Sequence, residues 1–86
     1  MPNKARARYN LGLLQQRLGR DNLAEASLMQ SVNIEPGNID LLYAMAYFYL
    51  KQGRWERSEE IDREMIERHP NQKIGHDIAD FVRKQK

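Results

Sequence analysis

The sequence predicts an all-α fold built of repeating, stacked helical hairpins, and three observations carry that expectation. Apolar residues recur every three or four positions in five separate segments, the spacing that lines one face of a helix. Two stretches are near copies 34 residues apart: Tyr9 matches Tyr43, Leu11 matches Met45, Gly19 matches Gly53, Arg20 matches Arg54 and Pro36 matches Pro70, with no insertion or deletion. A fixed period in this range marks units that stack on one another. Gly19, Pro36, Gly37, Gly53 and Pro70 fall between the periodic segments, where helices must stop.

Each element follows in order. Over residues 5–18, Ala7, Leu11, Leu14 and Leu18 share one helical face and are expected to be buried, and Gly19 ends the segment by supplying a left-handed conformation. Asp21 or Asn22 is expected to cap a second helix, whose Ala24, Leu28 and Val32 repeat every four residues until Glu35-Pro36. Asn38 is the expected cap of a third helix with Leu42, Met45, Ala46 and Tyr49 as its buried stripe and Gly53 at its end. Trp55 opens a fourth, with Ile61, Met65 and Ile66 inward, and Pro70 removes the donor needed to continue it. A fifth helix starts near residue 72. Its Ile74, Ile78, Phe81 and Val82 face inward while Asp77, Asp80, Arg83 and Lys84 stay wet, as a terminal cap over the last repeat requires.

Composition bounds the rest. Eighty-six residues, 41% apolar and 30% charged, make one small globular domain (1–86). A domain this size buries only ~60–65% of its unfolded surface, so its core is thin. No apolar run approaches the ~20 residues of a membrane span. The absence of cysteine excludes disulfides, thiolate metal sites, covalent haem and a cysteine nucleophile. The opening Met1-Pro2-Asn3-Lys4 has no hydrophobic signal core, and a chain that starts and stops this close to its repeats is also what a piece excised from a longer protein looks like. The compartment is open: cytoplasm is the default, and periplasm follows if the parent is exported. A net charge of +2 is too small to argue for nucleic acid, yet its distribution is uneven. Lys4, Arg6, Arg8, Arg17 and Arg20 occur in the first twenty residues without one acid, whereas residues 55–69 carry six acids against three arginines. Solvated helix faces explain both, and head-to-tail docking between modules is the sharper reading.

The run Tyr9-Asn10-Leu11-Gly12 with Gly19, Ala24 and Pro36, and the second copy from Leu42 through Ala46, Tyr49, Gly53, Ser58 and Pro70, resembles the tetratricopeptide repeat (TPR) family. The resemblance implies an α-α superhelix of two hairpins, repeat one at about 5–38 and repeat two at about 39–72, plus a capping helix at about 73–84. Arg8, Gln15 and Asp62 depart from the pattern, which usually has bulky apolar or aromatic residues there. The first two suggest either that the amino-terminal helix lacks a preceding repeat to pack against or that such a neighbour was removed. Asp62 is a hole in the expected core, and a slight rotation that brings in Ile61 would turn it toward solvent. The phrase from Leu42 to Leu50 followed by Gly53-Arg54-Trp55 is also similar to bacterial repeat tails, some attached to exported multihaem proteins.

The resemblance further implies a concave groove lined by the first helix of each pair: Arg6, Tyr9, Leu13, Gln16 and Arg17, then Asp40, Tyr43, Tyr47, Leu50 and Lys51, with Ile74, Asp77 and Phe81 standing for a third pair. Aromatic residues and arginine are what protein interfaces favour as anchors. The expected partner-binding set is therefore Arg6, Tyr9, Leu13, Arg17, Tyr43, Tyr47, Leu50 and Lys51, with tyrosine packing in the core as the competing reading. The carboxylate clamp with which some members grip chaperone tails is not carried: Tyr9, Leu13 and Ala44 stand where its lysine and asparagines belong. His69 and His76 flank Pro70 with no acid at metal-binding spacing, Glu59 and Glu60 point to different faces, and the glycines form no phosphate loop. A non-enzyme without cofactor or metal is expected, with a protein or peptide partner rather than nucleic acid. The alternative is a structural module that dimerises or stacks through its open ends.

Overall fold

The computed structural model describes residues 3–85; Met1 and Pro2 of the opening segment, and Lys86, lie outside the described residues. Five helices account for nearly all of it and no strand occurs among the described residues: α1 (Asn3–Arg17), α2 (Asp21–Ile34), α3 (Ile39–Lys51), α4 (Trp55–Arg68) and α5 (Lys73–Gln85). The chain forms two compact units, one through Leu41 and one from Leu42 onward.

In the first unit α1 packs against α2. Their connection is set by Gly19 at φ 75°, with the amide of Gly19 donating to the carbonyl of Gln16 (3.1 Å) and that of Arg20 to Gln15 (2.9 Å). These two bonds are the Schellman ending, which satisfies helix carbonyls and needs a left-handed residue. The residue before α2 is Arg20, whose side chain makes no cap bond, so the expected capping by Asp21 or Asn22 is corrected: Asp21 is already in the first turn, where its charge suits the positive helix end.

On α1 and α2 the buried positions are small apart from Leu28. Ala5 and Gly12 on α1 face Ala24, Ser27, Leu28 and Ser31 on α2 as the residues withdrawn from solvent. The expected core stripe Ala7, Leu11, Leu14, Leu18 is corrected too, because all four are exposed. Its periodicity is real, but it marks the outer side of α1, and the tight α1–α2 approach uses the glycine side instead. Gln15, the departure from the family pattern, accepts a 2.7 Å hydrogen bond from the Ser27 hydroxyl on α2. Its position is thus explained by a polar pair within the hairpin.

In the second unit the expected stripe of α3 is found: Leu42, Met45, Ala46 and Tyr49 are buried, joined by Ala44 and Phe48. Asn38 caps α3 as expected, its Oδ1 accepting from the amides of Asp40 (2.9 Å) and Leu41 (3.4 Å). Gly53, at φ 72°, repeats the Gly19 turn, with Gly53 donating to Leu50 and Arg54 to Tyr49. The Arg54 guanidinium stands 4.7 Å from the Tyr49 ring centroid. Across the hairpin, the Ser58 hydroxyl of α4 donates to the Ala46 carbonyl (3.1 Å), and α5 packs on α4 through buried Ile78 and Val82.

Two expectations in this unit fail. Phe81 is exposed although its neighbour Val82 is buried, since adjacent helical residues lie about 100° apart and only one can face α4. Asp62 does not turn to solvent: it is 1% exposed, its two carboxylate oxygens are buried without a hydrogen bond, and Ile61 stays half-buried. Burial pushes the Asp62 carboxyl up to about 7, with the negative charge of Glu59 adding to the effect.

Candidate functional site

The outward side of α3 is narrow because so much of the helix is buried. All seven residues from Leu41 to Tyr49 other than Tyr43 and Tyr47 are buried, and Tyr43 and Tyr47 project to solvent at 36% and 42% exposure. They lie four residues apart, one turn on the same face. Their rings stack with centroids 5.9 Å apart and planes at 30°, within the range of favourable aromatic pairs. One turn further, the Lys51 ammonium stands 5.7 Å from the Tyr47 centroid, close enough for a cation–π contact. Half-buried Leu50 and exposed Asp40 complete the stripe.

This row gives two rigid aromatic faces, two phenolic hydroxyls and one cation in a line along α3. Aromatic side chains with few rotatable bonds lose little entropy on binding, and lysine adds a point charge for a carboxylate. The chemistry suits an apolar or prolyl side chain laid on the rings with an acidic neighbour toward Lys51.

In the first unit, Arg6, Tyr9, Leu13, Gln16 and Arg17 form the corresponding stripe of α1, with Tyr9, Leu13 and Gln16 half-buried and both arginines exposed. It is a different side of α1 from the exposed Ala7, Leu11, Leu14, Leu18 side. That second side holds a feature the sequence reading missed: a pocket of about 410 Å³ lined by Lys4, Ala7, Arg8 and Leu11 of α1 and Ile34 of α2. The signal was present in the apolar period, which identifies a face and leaves open what covers it.

Other chemistry-bearing residues do not converge. His76 has its Nε2 3.3 Å from the Pro70 carbonyl oxygen in the turn before α5, and His69 is the residue that closes α4. Among the described residues no group of three or more histidine, aspartate or glutamate side chains is placed to hold a metal ion, and no helix is long and apolar enough to cross a membrane.

Two different tetratricopeptide repeat family models match the chain, one over residues 5–38 and the other over residues 27–60. No curated protein matches it.

Proposed function

The chain belongs to the tetratricopeptide repeat family, and we propose on that premise that it holds a segment of a partner protein against the Tyr43–Tyr47–Lys51 row of α3. Repeats of this family serve in general as protein–protein interaction modules and typically as non-enzymatic scaffolds. The single observation that carries the finer reading is the stacked, solvent-facing Tyr43–Tyr47 pair with Lys51 over its end. Two large aromatics left in water on a helix otherwise mostly buried cost apolar exposure without stabilising the hairpin, which is the economy of an interface anchor.

Leu50 and Asp40 flank the row, and Arg6, Tyr9, Leu13 and Arg17 of α1 form, within the first unit, a stripe of similar chemistry that a protein segment could contact in its own right. The cations favour an acidic segment, steering its approach in a salt-dependent manner. The test is a selection of binders from a random peptide library displayed against the whole chain, followed by an amide chemical-shift titration. Shifts gathered on Tyr43, Tyr47 and Lys51 support the reading. Selected peptides whose shifts fall on α2 or α5 overturn it.

A further inference from the structure

The exposed side of α1 is apolar where solvent would favour polar residues. Leu11, Leu14 and Leu18 are all exposed, Leu18 at 60%, and Ile34 of α2 extends the patch across the hairpin. The pocket between Leu11 and Ile34 is ringed by two cations, Lys4 and Arg8, and no acid is among its lining residues. Whatever covers this face therefore brings an apolar side chain for the pocket and a carboxylate for its rim.

The chain itself carries such a group. Among the described residues from Leu42 onward, the large apolar side chains left exposed are Tyr43, Tyr47 and Phe81. The tyrosines stand beside Lys51. Phe81 stands in the stripe Ile74, Asp77, Phe81 of α5, with Asp80 adjacent, so its surroundings are acidic on the side toward the start of the helix. Asp80 is engaged by Arg83 at 3.1 Å, which makes Asp77, one turn before Phe81, the carboxylate that meets the pocket rim.

We propose that this pocket receives Phe81 from α5 of a second copy of the chain, with Asp77 of that copy paired to Arg8. A pocket of about 410 Å³ accommodates one aromatic ring, whose burial dominates small interfaces. The opposite arrangement, α1 of one copy against α1 of another, would set Lys4 and Arg8 against their own kind, and like charges brought together at an interface are penalised. The contact is therefore between two unlike patches, each copy offering one of each.

Sedimentation of the full chain over a concentration series is the experiment, with circular dichroism on each variant. Self-association is expected, weakened about tenfold or more by Phe81→Ala, the size typical of an anchor residue. Arg8→Glu and Asp77→Arg, both at exposed positions, each weaken it, and the double variant Arg8→Glu with Asp77→Arg restores it because the pair is inverted rather than lost. This charge swap decides the matter even if Phe81→Ala unfolds the chain. The proposal is overturned by a monomer throughout the series, by association indifferent to Phe81, or by association that Arg8→Glu strengthens, the mark of α1 meeting α1. It is also overturned if Tyr43→Ala with Tyr47→Ala abolishes association, since the partner-binding row would then be its seat.

Discussion

A Cβ added to Gly12 would stand 2.8 Å from both the Cγ and the Cδ2 of Leu28, and 3.3 Å from the Leu28 backbone nitrogen. The two helices of the first hairpin thus meet at a point where one carries no side chain and the other carries a fully buried leucine. Leu28 cannot retreat without moving its Cγ, and its backbone is close behind.

Gly12→Ala is expected to destabilise the chain by about 1 kcal/mol. Overpacking costs ~1–3 kcal/mol, and replacing glycine inside a helix returns up to ~1 kcal/mol. Gly75→Ala is the comparison: its nearest contact is 3.2 Å from Ile66 Cγ1, a smaller intrusion that the propensity gain offsets. Urea denaturation midpoints of the two variants should separate in that order. Equal midpoints would remove the close approach from the account of this hairpin.

Asp62 makes stability depend on pH. Its folded value of about 7 lies above its ordinary 3.8, so the folded chain binds more protons between those limits and stability falls as pH rises from about 4 to about 7. The fall is at most ~4 kcal/mol, three pH units at ~1.4 kcal/mol each. The repeat itself supplies the replacement, since Leu28 occupies the matching place 34 residues earlier. Asp62→Leu should abolish the slope and raise stability at pH 8 by about 2–4 kcal/mol. Thermal unfolding from pH 4 to pH 8 is the check, and a slope that survives the substitution would acquit Asp62.

The caps of α2 and α3 should respond differently. Asn38 accepts two backbone bonds, and Asn38→Ala is expected to cost ~1 kcal/mol. Asn22, inside the first turn of α2, should tolerate alanine within about 0.5 kcal/mol. Chemical denaturation distinguishes them; an Asn22 effect as large as that of Asn38 contradicts the assigned capping.

For partner binding, Tyr43→Ala with Tyr47→Ala should weaken a selected peptide by about 100-fold, two anchors at roughly tenfold each. Lys51→Glu should weaken an acidic peptide further at low salt than at high salt. Titration calorimetry at two salt concentrations measures both, and affinity that ignores the tyrosines would place the peptide elsewhere.

Much of this architecture was legible in the chain. Glycines at 19 and 53 announced their turns because left-handed backbone is costly for other residues, and the α3 stripe was readable because apolar residues there are dense enough to be unambiguous. The α1 face was misread for a physical reason: its leucines are more apolar than the Ala5 and Gly12 side that packs, so hydrophobicity pointed away from the contact that small size made. Asp62 was recognised as anomalous, but its burial follows from the backbone register of α4, which one side chain does not override. Along α3, Tyr43 and Tyr47 fall outside the stripe of Leu42, Met45, Ala46 and Tyr49, and that offset is visible in the spacing alone.

The matched turns at Gly19 and Gly53 bear on how such a chain can change length in evolution. Each turn fixes its following helix through backbone bonds, with no capping side chain to re-aim it. One inserted residue between Gly19 and Asp21 would swing α2 by about 100° and present Ser27 where Leu28 belongs. A whole additional unit leaves every such angle untouched. Indels surviving a functional screen should therefore be rare as single codons in these turns and tolerated as multiples of the 34-residue cassette.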